Sequence, residues 1–340
     1  MRSPVPLKIS IVIPVHNGGK AFLACLQSLE HFRPDASEIP TELIVVADGC
    51  TDGSDRLAEK MGATVLRTAA PGGPARARNL GARQAQGDIL FFIDADVTIQ
   101  ADTISHVAAL FSEDMTLAAA IGSYDDAPGA PNFLSQYKNL FHHYTHQTSS
   151  EVASTFWGAC GAIRHDIFWI VGGFDERYRK PSIEDIELGY RLKQHGYTIR
   201  LCKTLHVKHL KRWSPVSLLR AEFFYRALPW TELLLNQKQP MNDLNLKLST
   251  RLSVVLVFSI ALLLLVSCWW LPSVGIAAFL GLLLTGLNAS VYQFFYHKRG
   301  AWFTLCMVPW HWLYFAYSGL AYGIGWCRYH LLHQRLSHQS

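Results

Sequence analysis

The sequence is poor in charge, and the charge it has is unevenly placed. Of 340 residues only 17% are Asp, Glu, Lys or Arg, and these thin out almost completely after Arg251. No block of like charges and no basic run interleaved with aromatics occurs, and the formal net charge is a modest +5, so nucleic acid is not an expected partner. Cysteine lacks any pattern. Cys25, Cys50, Cys160, Cys202, Cys268, Cys306 and Cys327 form no C-x-x-C and no close-spaced framework, which speaks against structural zinc and a disulfide scaffold and fits reduced thiols. The dinucleotide fingerprint G-x-G-x-x-G is missing after the first apolar run, where His16-Asn-Gly-Gly19 stands instead, so an NAD-type oxidoreductase is disfavoured. Residues 1–7 are short and contain proline, and no secretory leader is expected there.

Hydrophobic residues make up half of the chain, enough for one ordinary domain and a further apolar segment. In the first part, apolar β-branched runs at residues 8–15, 42–47, 64–66 and 88–96 read as buried strands. Helical spacing lies between them, at 20–31, 54–61 and 75–86. Alternation of this kind predicts an α/β fold with a mainly parallel sheet covered by helices on both faces. The run at 88–96 drives five apolar residues straight into Asp94 and Asp96. Strand alternation would put both carboxylates on one side, at a strand's carboxyl end, where open α/β sheets bind ligands and where the pair would grip one divalent cation. A pair of solvated turn acids is the plainer alternative.

Five patches in register decide between these. Pro14-Val-His-Asn17, Asp48-Gly-Cys-Thr-Asp-Gly53, Ala77-Arg-Asn-Leu-Gly81, Gly87-Asp88 and Ile93-Asp-Ala-Asp96 together resemble the family 2 glycosyltransferases, over roughly residues 8–230. The resemblance implies a GT-A fold, which is Rossmann-like, and inverting, metal-dependent transfer from a nucleotide-diphosphate sugar. It also implies roles. Pro14, Val15, His16, Asn17, Asp48, Arg78 and Asp94 become donor-nucleotide contacts, and Asp96, Asp94 and His209 become ligands of Mg²⁺ or Mn²⁺. Such ions take one or two carboxylates and complete their shell with phosphate oxygens and water. Where the family usually has two acids before the glycine of the second patch, Ala47 replaces the first. For Arg78 a solvated helix arginine is the alternative reading, for His209 a structural histidine, with His206 as competitor.

Further along, residues 101–120 read as a helix and a strand, and 132–144 as an aromatic helix with His142, His143 and His146 near its end. Adjacent histidines point apart on a helix, so a surface or acceptor-facing helix is expected there and not a shared metal. Trp157-Gly-Ala-Cys-Gly-Ala162 is a small-residue strand that lets a sugar approach backbone. Val171-Gly-Gly-Phe-Asp175 and Glu184-Asp185 match the acceptor half of the family, with Asp185 as the general base and Glu184 beside it in the catalytic pair. Ser182-x-x-Asp185 reads equally as a capping box opening a helix over 186–195.

The apolar end completes the organisation. Residues 1–210 are expected to form the catalytic domain, 211–248 amphipathic interfacial helices, and 249–340 a transmembrane region with spans near 252–271, 273–296 and 301–326, the third interrupted by Pro309 and His311. Lys247 and Arg251, with Lys298 and Arg299, put both ends of the first hairpin and the catalytic domain on the cytoplasmic face. The expected reaction is transfer to a membrane-associated acceptor, lipid or lipid-linked. A processive polysaccharide synthase is an alternative, although Gln-x-x-Arg-Trp is absent. So is a non-catalytic membrane protein that binds nucleotide sugar.

Overall fold

Apolar runs become strands here, free of charge at Ile9–Val15 and Ile89–Ile93 and with acids near the ends of Thr41–Asp48. The computed structural model describes residues 7–29, 39–236 and 247–337. Expectations for 1–6, 30–38, 237–246 and 338–340, including the leader-free start and part of the interfacial region, lie outside the described residues. The chain divides into two units, Met1–Trp213 and Ser214–Ser340.

In the first unit, strands Ile9–Val15 (β1), Thr41–Asp48 (β2), Thr64–Thr68 (β3) and Ile89–Ile93 (β4) alternate with helices Gly19–Ser28 (α1), Ser54–Lys60 (α2) and Pro74–Gln84 (α3). β1 pairs in parallel with β2 and β4, and β2 with β3. Small residues bring α3 close to the sheet. A Cβ on Gly81 would fall 2.5 Å from the Val12 side chain, so only glycine fits that contact.

Beyond Ile93 the crossover rhythm stops. A turn leads to Val97–Ile99 (β5), then Thr103–Glu113 (α4), Ala119–Tyr124 (β6), Phe133–Gln147 (α5), Val152–Ala153 (β7), Cys160–Arg164 (β8), His165–Ile170 (α6), Glu184–Gln194 (α7) and Ile199–His209 (β9). The sheet runs β3-β2-β1-β4-β8-β6-β9-β5, with β7 on β9. β8 is antiparallel to both β4 and β6, and β5 and β7 are antiparallel to β9, while β6 and β9 are parallel. The sheet is therefore mixed and not mainly parallel. A strand that no crossover helix returns is free to pair in the opposite direction.

Two local expectations change. α5 is not a surface helix, since Leu134, Tyr137, Leu140, His143 and His146 are buried. His143 and His146 place Nδ1 on the carbonyls of Tyr124 and Gly122, which pins the helix to β6. The helix expected over 186–195 starts at Glu184, with Ile183 at its cap.

The second unit opens with Pro215–Arg220 (α8), whose first turn is closed by a Ser214–Ser217 capping box, then a π-helical stretch Ala221–Ala227 and Leu228–Leu235 (α9). Leu248–Val266 (α10) is the one helix among the described residues that is long and apolar enough to cross a membrane unaided. Ser273–Leu287 (α11) and Ala289–Ser337 (α12) pass the same test only as a pair, bent by 66°. The expected second span over 273–296 is thus broken at Asn288, whose amide bonds Ser253 Oγ at 2.9 Å and the Leu284 carbonyl. Pro309 does not interrupt the third segment. The non-helical residue inside α12 is Gly300, at φ 80° and ψ 176°. Much of the unit's apolar surface is exposed, including Leu252, Val255, Leu262, Leu265, Trp269 and Phe279.

Candidate active site

The site gathers at the carboxyl ends of β1, β2 and β4 and at the end of β9. Loops from the first two strands lock together there. His16 places Nδ1 on the Asp48 carbonyl at 2.7 Å, Asn17 accepts from the Thr51 amide at 2.8 Å, and the amides of Gly18 and Gly19 donate to Ser54 and Asp52. Asn17 holds a φ of 53°, a conformation asparagine tolerates better than most residues. Pro14 and Val15 end β1 beneath this clasp.

Asp48 is buried, and its carboxylate accepts from Thr68 Oγ1 at 2.8 Å, from the Gly72 amide at 2.9 Å through both oxygens, and from the Gly73 amide at 2.8 Å. Three donors from its own chain meet this carboxylate, so it holds the 68–73 loop in place. That loop delivers α3, and α3 delivers Arg78.

Asp94 and Asp96 stand past the end of β4, on the turn into β5. Strand alternation therefore does not govern them, and their carboxylates take different partners. Asp94 Oδ1 accepts from Arg78 Nη2 at 2.7 Å, while Asp96 Oδ2 lies 3.5 Å from His209 Nε2. The antiparallel register of β5 on β9, Val97 opposite His209, creates the second pairing. His209 is buried, its ring stacked 4.5 Å from Tyr124, and its Nδ1 lies 2.7 Å from Asn139 Oδ1. An amide oxygen only accepts, so Nδ1 donates to Asn139 and the other ring nitrogen, Nε2, is the one that faces Asp96. Burial pushes the Asp96 carboxyl up, but the hydrogen bond and charge of a protonated His209, together with Lys211, outweigh that and hold it below the usual carboxylate range. Asp96 is thus ionised at neutral pH.

Asp96 Oδ2 and His209 Nε2 form an ion pair when the ring carries a second proton, and a divalent cation could take that proton's place between them. Among the described residues no group of three potential protein ligands forms, so diphosphate oxygens and water would have to complete the shell, the usual arrangement for Mg²⁺ and Mn²⁺. Asp94 is held by Arg78 and stands apart from this pair.

On the other side Arg78, 4% exposed, reaches Glu184 Oε1 at 2.9 Å. Burial would lower its guanidinium, yet the charges of Asp94, Glu184 and Asp185 raise it above its ordinary value. Glu184 Oε2 accepts from the Ser182 amide at 2.9 Å. Asp185, half-buried in the first turn of α7, accepts from the Gly158 amide at 3.1 Å and from the Ile186 amide at 2.8 Å. Asn79 joins the halves again, since it donates to and accepts from the backbone of Phe174 at 2.8 Å each way, and so fixes the Gly172-Gly173 turn, where both φ values are positive. Asn139, Tyr124 and the pairing role of Asn79 were not marked by the sequence, and Gly158 was marked for close approach of a sugar and not for its bond to Asp185. His206, the rival to His209, instead meets Gln147 at 3.2 Å, away from Asp96.

Known proteins resemble this chain in sequence and in fold. Residues 10–172 match the family model described as "Glycosyl transferase family 2". The chain is 31% identical over 113 residues to the poly(ribitol-phosphate) beta-N-acetylglucosaminyltransferase TarS of Staphylococcus aureus, covering 32% of this chain and 19% of that protein. It is 27% identical over 230 residues to the pre-mycofactocin glycosyltransferase of Mycobacterium tuberculosis, covering 64% and 46%. The chain thus spans less than half the length of these relatives. Among solved structures, the mannosyltransferase PcManGT of Pyrobaculum calidifontis, in complex with GDP-Man and Mn²⁺, superposes with a TM-score of 0.64 at 17% identity, covering 94% of this chain and 88% of that one. That likeness identifies the fold as GT-A.

Proposed function

We propose that this chain, which belongs to the family 2 glycosyltransferases, transfers a sugar with inversion from a nucleotide-diphosphate sugar to a lipid or lipid-linked acceptor at a membrane surface. One observation carries the reading. The acidic turn after β4 and the acidic first turn of α7, donor-side and acceptor-side elements by their motifs, meet on a single arginine, Arg78. Asp96 and His209 would hold a divalent ion, which when bound supplies positive charge to the departing diphosphate. Asp94, Asn17 and the clasped β1 and β2 loops frame the nucleotide side. Asp185 takes the proton of the acceptor hydroxyl as that oxygen attacks the anomeric carbon opposite the leaving group, and the Gly158 amide orients its carboxylate.

The second unit supports the membrane part. Contiguous apolar surface on the scale seen along α10 and α11 normally belongs against lipid or protein. Lys247 and Arg251 at the start of α10 favour a cytoplasmic catalytic unit by the positive-inside rule. Detergent-purified protein should release nucleotide from a UDP- or GDP-sugar in the presence of Mn²⁺ and lipid extract, and form a glycolipid. No release with any donor, or full activity in Asp96→Asn, would sink the proposal, and full activity in Asp185→Asn would remove the base assignment.

A further inference from the structure

An arginine beside a nucleotide site is ordinarily taken for a phosphate ligand, but both terminal nitrogens of Arg78 are already engaged by carboxylates of its own chain. Its Nη2 is bound to Asp94 at 2.7 Å and its Nη1 to Glu184 at 2.9 Å. The guanidinium lies over the Phe174 ring at 5.3 Å, and on another side Gly158 approaches so closely that a Cβ there would fall 2.9 Å from Cζ. The remaining nitrogen, Nε, is buried without a hydrogen bond.

We infer that Arg78 is a positioning residue which, with Glu184, forms an internal strut from the donor turn to the first turn of α7 and thereby sets where Asp185 stands. The inference rests on the reading of Asp185 as the base. Glu184 is fixed through both oxygens, one on Arg78 and one on the Ser182 amide, so its backbone, and that of Asp185 beside it, is fixed too. The same guanidinium packs on Gly158, whose amide holds Asp185 Oδ2. Both supports of Asp185 therefore lean on one side chain. Lysine cannot replace it, because an ammonium is a point charge that lacks the planar fork needed to bond two carboxylates in different directions. Glycine at 158 has a matching reason: any side chain would displace the strut.

The test uses full-length protein in detergent, with Arg78→Lys, Glu184→Gln, the double variant and Asp185→Asn. Binding of UDP and of GDP, each with Mn²⁺, is measured by calorimetry, and kcat and donor KM by nucleotide release. A strut predicts that Glu184→Gln lowers kcat about 10²-fold, the usual penalty for a misplaced group, while nucleotide Kd and donor KM stay near those of the unaltered enzyme, and that Arg78→Lys lowers kcat at least as far with a smaller loss of nucleotide binding. The double variant should be no slower than the slower single one, since the two residues act as a unit. Arg78→Lys weakening nucleotide binding in step with turnover, while Glu184→Gln retains turnover, would overturn the inference. Glu184→Gln keeps an oxygen for Arg78 to bond, so it carries the test where Arg78→Lys does not fold. Full turnover in Asp185→Asn overturns the base assignment alone, and the Kd comparison still judges the strut.

Discussion

Single residues in this site act through what holds them. His209 presents Nε2 to Asp96 only because Asn139 keeps the proton on Nδ1, and the residue supporting a metal-binding imidazole is typically worth 10–100-fold in metal affinity or activity. Asn139→Ala should therefore raise the Mn²⁺ concentration needed for half-maximal nucleotide release by about 10- to 100-fold. An unchanged Mn²⁺ titration would remove Asn139 from the site. The sequence displays the chemistry of such residues but not their company. Asp94, Asp96, Glu184 and Asp185 stood out only through the resemblance of the patches around them, because acids at strand ends and in the first turn of a helix are common without any such role. Asn139 did not, because its partner lies 70 residues away and nothing local marks it. Asp48 illustrates the converse. It was visible as an acid at a strand end, yet its hydrogen bonds run inward to Gly72 and Gly73.

Elements show the same division. The alternating apolar runs disclosed β1 to β4 and their helices to within a few residues, because burial of each strand and of one face of each helix depends on local periodicity. Direction in the second half of the sheet was hidden, since β8 is antiparallel to β4 across a separation that no local pattern records. The loop entering α3 depends on one backbone conformation. Gly73 sits at φ 93°, and a Cβ there would fall 2.3 Å from the Arg179 carbonyl oxygen, an unmovable neighbour. Gly73→Ala should cost about 1–3 kcal/mol for the strained conformation alone, more with the clash, and should loosen the grip of Asp48 on the loop. Thermal unfolding in detergent, followed by intrinsic fluorescence, measures this. A melting temperature equal to that of the unaltered protein would show that the loop can move aside.

At the scale of the molecule, the spare charge after Arg251 was the plainest sign of a second unit, but the helix breaks fall at Asn288 and Gly300 and not at the expected Pro309. An unbroken apolar run over 273–296 conceals a bend at Asn288, whose side chain turns inward to Ser253. If α10 crosses a bilayer with Lys247 on the cytoplasmic side, Cys268, exposed just beyond its far end, faces the opposite compartment. A membrane-impermeant maleimide should label Cys268 in intact cells stripped of any outer barrier, and Cys50 of the first unit only after lysis. Labelling of both together, before lysis, would contradict the orientation. The place of β9 in the sheet has a consequence of its own, in time. β5 leaves the ribosome early but finds its partner only when β9 has been made, about 100 residues later. At ordinary rates of roughly 5–20 residues per second, that edge waits about 5–20 s. Asp96 waits with it, and a nascent chain cut short anywhere before His209 can fold its nucleotide-side strands without ever acquiring the histidine that faces that acid.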